Sequence, residues 1–232
     1  MALPDSGKGY LPALKYRWLT PLYDPVIRVA FRESTIKERL VEEAAIKGGQ
    51  KVLDLGCGTG TLVLLLKRAQ PDATVVGIDG DPEVLQIARR KAALSGLEIV
   101  LDRGMAYALP YPDESFDVVL TSLVLHHLTR EDKARALREV SRVLRPGGSF
   151  HAADFGKPQN ALMRSLAIVS ELLEETKDGV EGRLPEMFRA AGLSGVEETA
   201  KFMTPLGTVS LYRARKLSNK KRMNDEPGGW RA

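Results

Sequence analysis

Beyond residue 50 the chain alternates between two hydrophobic patterns. Short runs of consecutive apolar residues give way to longer stretches with apolar residues three and four apart, the signatures of buried strands and of helices. Lys51-Val52-Leu53-Asp54-Leu55 is the first run; it ends in a glycine cluster and leads at once into the leucine-rich helical pattern of Thr61 to Ala69. The unit then recurs. Thr74 to Ile78 is β-branched and apolar, and Pro82 to Ala93 sets Val84, Leu85, Ile87, Ala88 and Ala92 against Arg89, Arg90 and Lys91, with Gly96 as the cap. A third strand is predicted at Glu98 to Leu101, a fourth at Phe116 to Thr121, a helix at Arg130 to Leu144, and a fifth strand at Ser149 to Asp154 after the Pro146-Gly147-Gly148 turn. This alternation predicts an α/β fold, a doubly wound and mostly parallel sheet with helices on both faces.

The flanks read differently. Residues 1–47 start irregular and Pro-punctuated (Pro4, Pro12, Pro21, Pro25) and continue as a helix of alternating charge from about Ile27 to Ile46, closed by Gly48-Gly49. From Asn160 to Thr176 a helical stretch carries Leu162, Met163, Leu166, Ile168, Val169, Leu172 and Leu173 almost all round, so it is expected to be covered by other parts of the protein or by substrate. Pro185 to Ala191 reads as a helix ended by Gly192, and Val196 to Met203 with Thr208 to Arg213 as a closing antiparallel pair around Pro205 and Gly207. The expected organisation is an N-terminal lid or helical segment at 1–47, a ligand-binding domain at 48–217 with a helical insertion at about 157–180, and a basic flexible tail at 218–232.

Composition narrows the setting. With 232 residues, 44% hydrophobic and 28% charged, the chain has material for one substantial core. No window is apolar enough for a membrane span and the start lacks a secretory pattern, so a soluble, cytoplasmic protein is expected. The single cysteine, Cys57, excludes an intramolecular disulfide framework and a structural zinc site of cysteines. The formal charge of +4 is concentrated at residues 213–232, which hold seven Lys or Arg against Asp225 and Glu226; the rest of the chain carries 27 basic and 28 acidic side chains. A basic tail, not a basic groove, accounts for the charge. DNA binding is therefore not expected, and RNA or an anionic membrane surface is left to the tail alone.

The strongest chemical signal is Val52-Leu53-Asp54-Leu55-Gly56-Cys57-Gly58-Thr59-Gly60, at a predicted strand-to-helix turn. Glycines there let a backbone approach a ligand, and the helix start offers free N–H groups. A mononucleotide phosphate loop needs a Lys after the last Gly, where this chain has Thr61; a dinucleotide fingerprint wants its third Gly at 61, not at Gly60. The second strand ends in Asp79, a carboxylate placed to accept both hydroxyls of a ribose. Asp54, two residues before the first Gly, lies where a cationic amino group would be held, and a nicotinamide dinucleotide gives that acid no task.

With these residues the chain resembles the class I S-adenosylmethionine (SAM)-dependent methyltransferases, and the branch that includes the ubiquinone/menaquinone-biosynthesis enzymes. Four blocks match in order: VLDLGCGTG, VVGIDGDPEVLQIARRKA, ALPYPDESFDVVLTSLVLHHL and LREVSRVLRPGG. The resemblance implies a Rossmann-like sheet of seven strands and SAM as cofactor. It implies that Gly56, Gly58 and Gly60 pass under the methionine part while Asp54 helps hold its ammonium group. Asp79 would bind the ribose hydroxyls, Gly80 would line the ribose and adenine edge, and Thr121 and Ser122 would touch the methionine part and the path to the acceptor. Met105-Ala106 stands where the family often has Asp-Ala beside the adenine; Met105 packs on a ring but offers no carboxylate to its amine. Tyr16, Trp18 and Tyr23 fall in a segment that often folds over the site in this family, with Tyr23 the favoured lid residue.

His127 and His126 follow the fourth strand near the implied acceptor. A neutral imidazole there takes a proton as the acceptor attacks the methyl group, whereas the plainer alternative is a cap on the next turn. The quinone branch has Arg-Asn at this pair, so His-His weakens the transfer of that branch's substrate. Cys57 reads as a small filler. No convincing ligand set accompanies Asp154, so no metal is expected. The acceptor is expected to be a small apolar or amphipathic molecule. Alternatives are a lipid or quinone methyltransferase at a membrane surface and a protein that binds SAM without catalysis.

Overall fold

The β1 strand, Lys51–Leu55, is buried from Val52 onward, and its neighbours on both sides run parallel to it. Continuous burial of this kind belongs to the middle of a parallel sheet covered on both faces. The computed structural model describes residues 33–165 and 176–218. Along them the order is α1 (Glu33–Ala44), β1, α2 (Thr61–Ala69), β2 (Thr74–Asp79), α3 (Pro82–Ser95), β3 (Val100–Arg103) and β4 (Phe116–Ser122). A short 3-10 turn (Leu125–His127) follows, then α4 (Arg130–Val143), β5 (Leu144–Phe155), α5 (Lys177–Val180), α6 (Leu184–Ala190), β6 (Leu193–Thr204) and β7 (Gly207–Lys216). The seven strands lie in the order β3-β2-β1-β4-β5-β7-β6, parallel through β5 and antiparallel at β7 and β6. This is the doubly wound sheet expected, closed by the expected antiparallel pair.

Residues alternate between two cores. Leu53, Leu55, Val119, Phe150 and Tyr212 pack with Leu137 and Val140 of α4 and Phe188 of α6. Val52, Val118, Leu120 and Leu211 pack with Ile36 and Leu40 of α1, Leu62 and Leu66 of α2, and Leu85 of α3. The helix expected from about Ile27 is described from Glu33, and it buries Ile36, Leu40 and Ala44 against the second core. Residues 1–32, including Tyr16, Trp18 and Tyr23, lie outside the described residues, as do 166–175 of the insertion and 219–232 of the tail. Asn160 opens the insertion: its side chain accepts from the Met163 amide at 2.9 Å, and 161–165 is helical. Thr176 is followed by the four-residue α5, a break that the apolar pattern did not signal.

Four strands have boundaries that moved for physical reasons. β3 runs from Val100 to Arg103, two residues later than the apolar run predicts, because it is an edge strand whose register is set by β2 (Val76 opposite Val100, Asp79 opposite Arg103) and not by burial. β5 starts at Leu144, opposite Phe116, and Ser149 pairs with Val118, so residues 145–148 arch out against Asp117 alone. Asp117 braces that arch, accepting from Arg145 Nη1 at 2.7 Å and from the Lys51 amide at 2.8 Å. β6 and β7 are longer than expected, since β6 pairs with β7 alone and half of it faces solvent, where polar residues are no bar to a strand.

Candidate active site

The sheet order reverses between β1 and β4, and a crevice opens there at the carboxyl ends of the strands, the usual ligand position in such sheets. Three segments meet at it: the β1–α2 loop, the end of β2, and the turn after β4.

The loop is built from hydrogen bonds to the neighbouring strand. The Gly56 and Cys57 amides donate to Ile78 O at 2.8 and 3.0 Å, and the Gly58 amide donates to Asp79 Oδ2 at 2.8 Å. Its glycines answer three different demands. A Cβ on Gly56 would lie 2.5 Å from Val124 Cγ2 and one on Gly60 would lie 2.9 Å from Ala88 Cβ. At Gly58, with φ +51°, a Cβ would meet nothing within 4 Å, so this residue borders open space. Cys57 turns the other way: its sulfur is 2.9 Å from where a Gly77 Cβ would be, and burial drives its thiol far above the ordinary range, which fits a filler and not a nucleophile.

Asp54 is 1% exposed, and its Oδ2 has no hydrogen-bond partner among the described residues. Burial pushes its carboxyl up to about 7, Lys37 opposes the rise, nearby Asp79 adds to it, and a hydrogen bond from the Val63 amide works against it. A buried carboxylate oxygen with no partner is costly, and a cationic ligand group would answer it. Asp79 is also raised by burial, although the amides of Asp81 and Gly58 hold it down. Asp81 caps α3 through the Glu83 amide at 2.7 Å. Gly80 packs under Met105, whose sulfur would be 2.7 Å from a Cβ there, and the Met105–Ala108 bridge holds that segment, with Ala106 at its turn. Gly104 joins it to β2 by donating to Asp79 O at 3.0 Å.

At the end of β4, Thr121 Oγ1 donates to Leu55 O at 2.9 Å, while the buried Ser122 Oγ has no partner among the described residues. Leu123 takes a left-handed φ of +58°, costly for a branched side chain, and its amide donates to Ala153 O at 2.8 Å. His126 is 7% exposed, and its Nδ1 is 2.8 Å from Asp154 Oδ1. Its ring lies tilted by 44° against that of His127, with centroids 4.0 Å apart, and meets Phe155 edge-on at 4.9 Å. Burial raises the Asp154 carboxyl, but the His126 ring and the Phe155 and Leu125 amides outweigh it and leave it below the ordinary value. The structure thus sets His126 against the Asp154 carboxylate. Sequence reasoning passed over three neighbours of this turn. Lys133, 1% exposed, pairs with the buried Asp178 at 3.2 Å, and the buried Thr176 Oγ1 has no hydrogen-bond partner among the described residues. The one available signal was that β5, like β2, has an acid at its carboxyl end.

An α/β sheet whose crevice holds a glycine turn, a partnerless buried carboxylate and a second acid at the end of the next strand defines a site for a nucleoside that carries a cationic group. Comparison with known proteins is specific. Residues 52–148 match the methyltransferase domain family. The chain is 39% identical over 142 residues to the demethylmenaquinone methyltransferase of Thermus thermophilus, covering 60% of this chain and 64% of that protein, just under two thirds of its length. It is 32% identical over 205 residues to a ubiquinone/menaquinone biosynthesis C-methyltransferase of Shewanella sp. (strain W3-18-1), covering 78% of this chain and 80% of that protein. A SAM-dependent methyltransferase structure from Aquifex aeolicus superposes with a TM-score of 0.62 at 20% identity, covering 87% of this chain and 98% of that one, a likeness of fold. The chain belongs to the SAM-dependent methyltransferases. Among its described residues no helix is long and apolar enough to cross a membrane.

Proposed function

We propose that this protein moves a methyl group from SAM to a small apolar or amphipathic acceptor by in-line displacement. The observation that carries the reading is the partnerless, buried Oδ2 of Asp54, which answers the ammonium of a methionine moiety. The surrounding residues fit the remainder of the cofactor: open space beside Gly58, the Asp79 carboxylate for the ribose, and the Gly80–Met105 contact beside the base. When bound, SAM supplies a methyl group already activated on a cationic sulfur. The chain's own work is then alignment, worth about 7–11 kcal/mol of barrier. Gly56, Gly60, Ala106, Thr121 and Ser122 shape that site, Tyr23, outside the described residues, is the proposed lid residue, and His126 or His127 receives the acceptor's proton.

A second reading, a quinone-type acceptor, is supported by the likeness to the quinone-biosynthesis methyltransferases of Thermus thermophilus and Shewanella. The His126-His127 pair in place of that branch's Arg-Asn weighs against it. The basic tail of 218–232 is proposed as a solubilising end, with membrane or RNA contact as the weaker alternatives.

Calorimetric titration with SAM and S-adenosylhomocysteine, with NAD as control, tests the reading on wild type and Asp79→Ala. Micromolar binding of the first two, lost in the variant, is expected. Binding of NAD alone would refute it.

A further inference from the structure

Two acids dominate the crevice, and a methionine moiety brings an acid of its own. Asp54 is 1% exposed with its Oδ2 partnerless among the described residues, and Asp79 bounds the same loop, accepting from the Gly58 amide at 2.8 Å. An ammonium and a sulfonium suit such a pair. A ligand carboxylate brought beside Asp54 is repelled unless a cation stands there to receive it.

The first helix supplies that cation. Val52 and Asp54, two residues apart on β1, project from the same face of the strand, and Val52 packs with Ile36 and Leu40 of α1 and Leu62 of α2. α1 therefore covers the face of β1 on which Asp54 sits. Lys37 follows Ile36 in this helix, and Val41, one turn further on, packs against the same core. The Lys37 side chain is only 12% exposed, and its Nζ lies 2.5 Å from Glu33 Oε1, one turn back. The Lys37 charge reaches Asp54, whose carboxyl it lowers against burial and against Asp79.

We propose that Lys37 binds the carboxylate of the cofactor's methionine moiety, so that Asp54 and Lys37 together recognise an α-amino acid group by both of its charges. The inference rests on the methyltransferase reading and deepens it: the site for a cationic nucleoside becomes one that selects a zwitterionic end. Glu33 suits this role for Lys37. An ammonium has three N–H donors, and among the described residues Glu33 accepts from one of them, which holds the long side chain in place and leaves donors for a second carboxylate. Holding it beforehand reduces the rotamer entropy lost when a ligand is bound. Lys91 is another lysine at the loop, donating to Thr59 Oγ1 at 2.8 Å. It reaches the loop from α3, whereas Lys37 comes from the helix that covers the Asp54 face of β1.

Calorimetry on the full chain with SAM and with decarboxylated SAM, which keeps the sulfonium and the amine but lacks the carboxylate, tests this pairing. Wild type is expected to bind SAM about tenfold or more tightly than the decarboxylated form, the usual worth of a hydrogen bond to a charged group. Lys37→Met should lose roughly that tenfold for SAM and less than about threefold for the decarboxylated form, and Lys37→Arg should recover most of the SAM affinity. Equal affinity of wild type for the two ligands overturns the proposal with no variant needed, so a variant that fails to fold does not rescue it. Equal losses for both ligands in Lys37→Met would mean that Lys37 only tunes Asp54 or anchors α1, and unchanged SAM binding in that variant would mean that it does not touch the ligand; either result overturns the proposal. A discrimination that vanishes in Lys91→Met and survives in Lys37→Met overturns it as well. If wild type binds neither ligand, the methyltransferase reading falls and takes this inference with it, whereas tight SAM binding with unaltered discrimination in Lys37→Met sinks the inference alone.

Discussion

Gly58 and Gly60 are two residues apart in one loop, yet the structure assigns their substitution opposite consequences. At Gly60→Ala the new Cβ lies 2.9 Å from Ala88 Cβ and 3.3 Å from its Cα, on a backbone with φ +77°. Left-handed strain costs about 1–2 kcal/mol for a side chain and overpacking typically about 1–3 kcal/mol. A combined loss of about 3 kcal/mol lowers Tm by about 6–12 °C in a domain of this size. Gly58→Ala incurs the strain of about 1–2 kcal/mol but meets no atom within 4 Å, so its Tm should fall by about one third to two thirds as much. The space that its methyl enters is where a ligand would lie. A clash there of about 1–3 kcal/mol weakens SAM binding by roughly 5- to 150-fold. Differential scanning fluorimetry without ligand and calorimetry with SAM, run on both variants, read the two quantities separately. Equal Tm losses, or a Gly58→Ala protein that binds SAM within twofold of wild type, would refute the assignment of the open side of the loop to the cofactor.

Three further outcomes are expected. Asp54, with its carboxyl raised from 3.8 to about 7, binds more protons folded than unfolded between those values, so its contribution to the stability of the ligand-free protein is lost as pH rises through about 7; Asp54→Asn should flatten the difference between melts at pH 5 and pH 8. A cationic ligand prefers the ionised form, so wild-type affinity for SAM should be roughly tenfold weaker at pH 6 than at pH 8, as calorimetry at the two pH values would register. Lys133→Met should cost up to about 3–5 kcal/mol in urea denaturation, since it takes the 3.2 Å partner from buried Asp178 and leaves it the more exposed Arg130 at 3.8 Å. Cys57, buried with its thiol driven up, should resist a thiol-reactive disulfide reagent at pH 8 in the folded protein and react at once in denaturant.

The sequence made the centre of the sheet plain and its edges vague. β1 and β2 are read easily because both faces of a parallel strand are covered, which forces consecutive apolar residues, as in Val75-Val76 before Gly77-Ile78. α3 announces itself by Asp81 and Pro82 at one end and Gly96 at the other. β3 and β6 have no such constraint: their positions follow from pairing with β2 and β7. Within the site, Asp54 and Asp79 were legible because each abuts a glycine turn in the chain itself. The tie between Asp154 and His126 was not, because it joins residues 28 positions apart through a backbone turn that no residue pattern marks. Val124 likewise gave no sign that it fills the space left by Gly56.

The last strand among the described residues is an interior one. β7 lies between β5 and β6, and nine of its ten residues are at least partly buried. Until it emerges from the ribosome, β6 has no hydrogen-bonded neighbour and the outer edge of β5 is unpaired. Roughly sixty residues separate the end of β5 from the end of β7, which at about 5–20 residues per second is an interval of some 3–12 s. During that time the nascent chain presents two open strand edges, one of them beside Asp154. The antiparallel ending therefore sets a delay between assembly of the parallel strands β3-β2-β1-β4-β5 and completion of the sheet at β7 and β6, and makes that delay the period of greatest exposure to aggregation and to chaperones.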